Sequence, residues 1–191
     1  QRSDDLLSIL RSIGVYPNID APVFYVNGVR QHGGNVSSTD SLAITAASGT
    51  IYYTIDGSDP RLPGGAVNTA HAMTYSGSFH LSHSTHVKAR AKSGSTWSAL
   101  NEAVYAVGPV GSSLRINEIM YHPEDTGDPN DPNEEFIELW NIGTEPINLS
   151  LVRFTDGIDF TFGDLELPAG GFAVVVRNQE VFSRVYAGYW G

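Results

Sequence analysis

The residues with the clearest capacity for chemistry are acidic, and they lie between two strand-like runs. From Glu118 to Glu138 the chain has eight carboxylates and neither Lys nor Arg. Carboxylates this close repel one another unless they stay solvated or share a cation. The pattern therefore raises two hypotheses, a solvated acidic loop and a cation-binding loop. The carboxylates are Glu118, Glu124, Asp125, Asp128, Asp131, Glu134, Glu135 and Glu138.

Calcium is the cation that this loop suits best, because Ca²⁺ takes about six to eight oxygen ligands from carboxylates, amides and backbone carbonyls. The run DPNDPNEE nevertheless lacks the ordered ligand spacing of an EF-hand loop. A solvated loop that keeps an acidic protein soluble explains the same residues. Both interpretations stay open, and calcium is the only cofactor that the sequence suggests. Its predicted ligands are Asp125, Asp128, Asp131 and Glu134.

Other metal and catalytic chemistries find little support in the residue types. The chain has no Cys, which excludes disulfides, thiolate zinc sites and cysteine nucleophiles. No Gly-x-Ser-x-Gly motif marks a serine nucleophile, and any acidic loop offers carboxylate pairs for glycoside hydrolysis. A histidine zinc site is disfavoured, because strand alternation places His80 and His83 on opposite faces. We therefore predict no catalytic residues and no enzymatic activity.

Exposed aromatic rings could bind carbohydrate, because sugar rings pack on the faces of Trp and Tyr. The best candidate is Trp97, which the sequence places at a hairpin tip. Trp140, beside Leu139, is expected in the core instead. Polysaccharide is therefore one hypothetical partner, recognised through Trp97.

The acidic residues are unevenly distributed along the chain. Residues 1–108 have seven basic and seven acidic side chains, whereas residues 109–191 have four and fourteen, so the formal charge of −10 lies in the second half. Such a break predicts a domain boundary. An acidic chain is a poor partner for nucleic acid, and no apolar run reaches the roughly 18 residues of a membrane span. We predict neither nucleic-acid binding nor membrane insertion.

The first half reads as one short helix followed by strands. Asp4–Ile13 has helical apolar spacing and Gly14 ends it. Within HVKARAK, Val87, Ala89 and Ala91 are expected on a buried face and the basic residues on a wet one. Short strands rich in Val, Ile, Thr and Tyr predict an antiparallel sandwich. They are Val23–Val26, Ser41–Ala46, Thr50–Ile55, Met73–Tyr75, Ser78–Ser82, Thr85–Ala91 and Glu102–Ala106.

The second half begins after a small-residue linker, residues 108–113. Further strands and one possible short helix, Gln179–Ala187, are predicted there. The strands are Leu114–Tyr121, Glu135–Asn141, Ile147–Asn148, Arg153–Thr155, Phe160–Phe162 and Phe172–Val176.

The run IYYTIDGSDPR, residues 51–61, resembles the signature hairpin of chitobiase/β-hexosaminidase C-terminal-type modules. Physically it is a strand followed by two turns, in which Asp56 and Asp59 can cap local backbone N–H groups. The later run HVKARAKSGSTWSAL resembles the return hairpin of the same module. The likeness covers residues 21–107. It implies a non-catalytic, immunoglobulin-like accessory domain of the kind that accompanies secreted bacterial enzymes.

The second half resembles a lamin-tail domain through five motifs in order. The resemblance implies an immunoglobulin-like sandwich with interaction and scaffolding roles and no catalytic residues. Such domains usually continue with further strands after Phe172–Val176, so residues 114–191 are expected to be an incomplete sandwich. The motifs are INEIMY (116–121), EFIELWN (135–141), INLS (147–150), RFTDG (153–157) and LPAGG (167–171).

This order of modules resembles the tails of large exported bacterial CotH-kinase-like proteins. Residues 1–20 would then be a helical leader from the upstream region, and Gln1 in place of Met suggests an excised piece. We predict a mainly β chain with two tandem immunoglobulin-like antiparallel sandwiches and one short N-terminal helix. The predicted role is surface attachment, spacing or protein–protein association outside the cell, with a protein or the rest of the parent polypeptide as partner. The alternative is a carbohydrate-binding accessory module.

Overall fold

The computed structural model describes residues 2–123, 127 and 131–186. The chain divides into two compact units, residues 1–108 and residues 109–191. Strands dominate both units, and the predicted mainly β fold that begins with a short helix is confirmed. No helix in the described part of the chain is long and apolar enough to span a membrane.

The first unit opens with α1 (Arg2–Ser12) and continues with nine short strands. Gly14 stops the helix, because its φ of +74° is a left-handed conformation that favours glycine. The strands are β1 (Val23–Val26), β2 (Val29–Arg30), β3 (Gly34–Val36), β4 (Leu42–Thr45), β5 (Thr50–Thr54), β6 (Met73–Thr74), β7 (Thr85–Ser93), β8 (Thr96–Trp97) and β9 (Asn101–Val107).

Two sheets enclose the core of this unit. One has the order β2-β1-β4, and the other has the order β3-β9-β7-β5-β6 with β8 paired to β7. Phe24 and Ile44 of the first sheet belong to the same buried cluster as Val87, Ala89 and Tyr105 of the second. The alternation predicted for β7 is confirmed, since its apolar residues are buried and its basic residues are half-buried on the other face.

The first unit differs from the prediction in several details, including the short strands β2 and β8, which were not predicted. Residues 78–82 do not form a strand, because Phe79 makes only an isolated bridge with Leu42 and His80 hydrogen-bonds the Asp40 carbonyl. The unpredicted β3 runs parallel to β9, where the predicted sandwich is wholly antiparallel. Gly33 permits this approach, since a Cβ there would lie 2.7 Å from the Val104 carbonyl oxygen.

The second unit has one larger sheet, β10-β11-β16, and two strand pairs, β12-β15 and β13-β14. Its helices are α2 (Val110–Ser113) and α3 (Gln179–Val185), and a 3-10 turn covers Asp131–Glu134. The strands are β10 (Leu114–Met120), β11 (Phe136–Asn141), β12 (Ile147–Asn148), β13 (Arg153–Phe154), β14 (Phe160–Thr161), β15 (Glu166–Leu167) and β16 (Phe172–Val176).

Part of the predicted linker 108–113 is structured. Residues 110–113 form α2, and Val110 and Ser113 are buried because they pack into the second unit. α3 corresponds to the short helix predicted at Gln179–Ala187, whereas α2 and β15 were not predicted. The end of α3 at Val185 lies short of the predicted Ala187, which is outside the described residues.

Asn141 ties the end of β11 to two turns of the second unit. Its side chain is fully buried, and its Nδ2 donates to the carbonyls of Glu145, Leu167 and Pro168. Its Oδ1 accepts from the backbone of Gly143. Buried polar groups require such partners, so Asn141 holds β11 in place beside the segment that leads into β16.

Candidate binding surface

The predicted calcium ligands cannot be assembled from the described residues. Asp125 and Asp128 lie outside them, whereas Asp131 and Glu134 are the first and last residues of the 3-10 turn. Within residues 2–123, 127 and 131–186, no three His, Asp or Glu side chains are grouped as metal ligands would be. Calcium binding by this loop therefore stays a prediction.

Trp97 is buried, so the exposure assumed by the carbohydrate hypothesis is absent. The residue does lie in a hairpin, opposite Lys92 of β7, but its side chain is only 7% exposed. Its indole N–H donates to the Gly65 carbonyl at 2.8 Å, and its ring packs 5.6 Å from that of Tyr52. The loop between β5 and β6 reaches the hairpin through Gly65, which sequence spacing does not reveal.

Two histidines of the first unit, His71 and His86, each pair with a different carboxylate. His71 hydrogen-bonds Asp56 at 2.6 Å, and His86 contacts Glu102 at 3.1 Å. Asp56 also accepts from the Ser58 hydroxyl at 2.6 Å, so the carboxylate lies between the serine and the histidine. A catalytic triad needs the histidine in the middle. The Ser58–Asp56–His71 arrangement is therefore not a triad, and its hydrogen bonds stabilise the turn that follows β5.

The β10-β11-β16 sheet of the second unit is the candidate binding surface, because its edge strand β10 carries exposed apolar residues. β10 lies at one edge, pairing antiparallel with β11. The register shifts between Ile116 and Glu118, so that Asn117 forms a bulge. Residues directly opposite one another share a face of a sheet. Register therefore assigns each β10 side chain to the inner or the outer face.

The inner face of β10 carries two isoleucines that the described residues leave uncovered. Ile116 lies opposite Leu139 and Ile119 opposite Ile137, and both of these β11 partners are buried in the core. Ile116 is nevertheless 52% exposed and Ile119 54% exposed. The core side of the sheet thus extends onto an edge strand without cover.

A cleft adjoins Ile119 at one end of this sheet. Its volume is about 360 Å³, and Ile119, Ile137, Ile158 and Val175 contribute apolar lining. Arg177, paired with Glu135 at 2.7 Å, also lines the cleft. This volume lies in the range of known ligand pockets, about 300–1,000 Å³. The cleft can accept apolar side chains beside a charged pair.

The outer face of the same sheet concentrates carboxylates. Glu118 lies directly opposite the buried Glu138, which accepts a hydrogen bond from the Asn117 amide. Burial first, and then the charges of Glu134 and Glu118, raise the pKa of the Tyr186 hydroxyl. Negative charge therefore gathers at the outer face near Glu118.

Aromatic residues cover part of this outer face. Phe182 of α3 and Tyr186 pack edge-on against Phe136 at 5.5 and 5.4 Å. At the other end, Trp140 stacks on Phe172 at 5.7 Å and is 37% exposed. Trp140 was expected in the core. It lies on the outer face instead, because the alternation along β11 turns Leu139 inward.

The exposed pair Ile116 and Ile119 was missed at the level of the sequence, which identified residues 114–121 only as a framework strand. Their spacing of three breaks strand alternation, and this is the sequence trace of the bulge at Asn117. The spacing could have indicated a bulge. It could not have indicated that the two side chains are uncovered.

Two family models match parts of the chain. Residues 109–191 match the lamin tail domain, and residues 42–100 match the model described as Fn3 associated. The second half is therefore a lamin tail domain with an immunoglobulin-like fold, as its motifs predicted. No curated protein and no solved structure matches the chain. The two domain types are consistent with a non-catalytic interaction module.

Proposed function

We propose that this chain is a non-catalytic interaction region of a large exported bacterial protein, where it serves surface attachment, spacing or protein–protein association. The tandem of an Fn3-associated module and a lamin tail domain supports this role. So does the likeness of residues 21–107 to chitobiase-type accessory modules. The CotH-kinase-like parent and the extracellular or cell-surface location belong to the same proposal.

One observation carries the proposal, namely the exposure of Ile116 and Ile119 on the core side of the β10-β11-β16 sheet. Apolar side chains on a core face are normally covered, and contiguous exposed apolar patches mark interaction sites. The neighbouring apolar cleft extends the same surface. Cover supplied by a protein partner, or by another segment of the parent polypeptide, would bury this surface.

Site-specific photo-crosslinking in the parent protein, expressed in its own host, tests this function. A photoreactive residue replaces Ile119 in one variant and Val104 in the control. Val104 is a matched position, because it is 48% exposed on β9, a strand flanked on both sides by β3 and β7. We expect a defined protein adduct, identified by mass spectrometry, from position 119 and not from position 104. The absence of adducts from position 119 would contradict the proposal.

A further inference from the structure

We propose that the outer edge of β10 binds an extended peptide segment of a partner protein as an added β-strand, in which apolar residues alternate with basic ones. The inference deepens the proposed function and depends on it, since it names the place and the mode of association. Three features of the second unit carry it: a strand edge that no strand in the described part of the chain pairs with, an apolar inner face and an acidic outer face.

The free edge offers backbone hydrogen bonds. β10 is seven residues long, and among the described residues no strand pairs with its outer side. Natural edge strands are often protected by Lys, Pro, other charges or bulges. LRINEIM has neither Lys nor Pro, although it carries Arg115, Glu118 and the bulge at Asn117. The bulge at Asn117 interrupts the strand, and Leu114–Ile116 and Glu118–Met120 on either side of it keep a regular register with β11. An incoming strand can pair with such an edge through its main chain.

The inner face of β10 determines which residues of the partner segment are apolar. Ile116 and Ile119 are each more than half exposed beside the core. Apolar residues of an added strand would lie next to them at cross-strand distances of about 4.5–5.5 Å. The cleft beside Ile119 would receive one further apolar side chain. Alternate residues of the partner segment are therefore apolar.

The outer face sets the basic half. Glu118 lies opposite Glu138, and Glu134 acts on the same neighbour, Tyr186, as Glu118 does. Residues 109–191 as a whole have fourteen acidic and four basic side chains. A second copy of the chain would bring these like charges together, which is unfavourable. A Lys or Arg facing Glu118 removes that repulsion, so the partner segment is basic on this face.

Fluorescence anisotropy with the full 191-residue chain tests the inference. The probes are two labelled peptides of about ten residues, one alternating Val with Lys and the other Val with Glu. We expect the Val–Lys peptide to bind at least ten-fold more tightly. The double variant Ile116→Ser/Ile119→Ser should weaken its binding at least ten-fold, whereas Val104→Ser should leave it unchanged. Glu118→Lys should shift the preference toward the Val–Glu peptide.

Equal binding of both peptides, or no binding, would overturn the strand-addition mode. If circular dichroism shows that the isoleucine double variant is unfolded, hydrogen exchange on the unaltered chain decides the question. The Val–Lys peptide must then slow exchange of β10 amides more than that of β16 amides, and equal protection would overturn the mode. A position-119 adduct without peptide preference would leave the interaction function standing. Missing adducts would instead contradict that function itself.

Discussion

Arg90 on β7 donates two parallel hydrogen bonds to the carboxylate of Asp59, from Nε to Oδ1 at 2.8 Å and from Nη2 to Oδ2 at 2.7 Å. A third bond runs from Nη1 to the Ser98 carbonyl at 2.9 Å. Burial pushes the pKa of Asp59 upward, but the hydrogen bonds from Arg90 and from the Arg61 backbone outweigh it and lower the pKa. The pair thus fastens the turn after β5 to the sheet.

Replacing Asp59 by Asn should lower the free energy of unfolding of the first unit by about 1–2 kcal/mol. A bidentate Arg–carboxylate pair is stronger than an ordinary hydrogen bond, although partial exposure of Asp59 reduces its worth. Urea unfolding measures the loss. Glu102→Gln is the matched control, because Glu102 pairs with Lys88 at an exposed site where about 0.5 kcal/mol or less is expected. Equal losses in the two variants would refute the special role of Asp59.

The turn at Asp56 should make stability depend on acid pH. Hydrogen bonds from the Ser58 hydroxyl, with further help from the Ser58 backbone and His71, lower the pKa of Asp56 from 3.8 to about 2 despite partial burial. A depressed folded-state pKa stabilises the fold above the unfolded value, and that contribution disappears as the pH falls from about 4 to 2. Unfolding titrations over this window should fall less steeply for Asp56→Asn. Parallel curves for both proteins would disprove the assignment.

A comparison of alanine substitutions at Gly28 and Gly33 distinguishes the cost of a strained backbone from the cost of a steric clash. Both have φ of +79°, but a Cβ at Gly33 would lie 2.7 Å from the Val104 carbonyl, whereas nothing lies within 4 Å at Gly28. Gly28→Ala should cost about 1 kcal/mol from the left-handed conformation alone. Gly33→Ala should cost about 1–3 kcal/mol more, because β3 must move away from β9. Chemical denaturation of the two variants gives the difference, and similar costs would contradict the close approach of Gly33 to β9.

Replacing Trp97 should cost more stability than replacing Trp140, because the structure buries Trp97 and partly exposes Trp140, the reverse of what the sequence predicted. Trp97→Ala should destabilise the first unit by about 3 kcal/mol, because it removes a buried ring and the bond to Gly65. Trp140→Ala should cost about 1 kcal/mol or less in the second unit, since its ring is partly exposed. Thermal and urea unfolding measure both. A negligible effect at Trp97 would restore the exposed-platform hypothesis.

Calcium binding by the acidic loop predicts a rise in melting temperature. At a calcium concentration ten times the dissociation constant, the gain is about 1.4 kcal/mol, which corresponds to about 8 °C for a unit of this size. Differential scanning calorimetry with millimolar Ca²⁺ measures it. The variant Asp125→Asn/Asp128→Asn should lose the rise, and magnesium should reproduce little of it. An unchanged melting temperature for the unaltered chain would favour the solvated loop.

Much of the fold could be predicted because local patterns report local geometry. The alternation of Val87, Ala89 and Ala91 identified the buried face of β7, and the capping by Asp56 and Asp59 is confirmed by their bonds to the backbones of Ser58 and Arg61. Residues 78–82 were wrongly predicted as a strand, because Phe79 and Leu81 alternate with polar residues as they would in one, but only Phe79 forms an isolated bridge. Strand β3 was not predicted, because Gly33 and Gly34 at its start carry little strand signal.

The sequence alone determined the two modules, the position of the charge break and the strands that carry Glu118 and Glu138. These follow from composition, periodicity and motifs that neighbouring residues share. Only the tertiary structure decided that Trp97 is buried and bonded to Gly65, whereas Ile116 and Ile119 are not covered by the described residues. The reason is physical. Whether a side chain is buried depends on segments far away in the chain, and the register across a bulge is set by the partner strand.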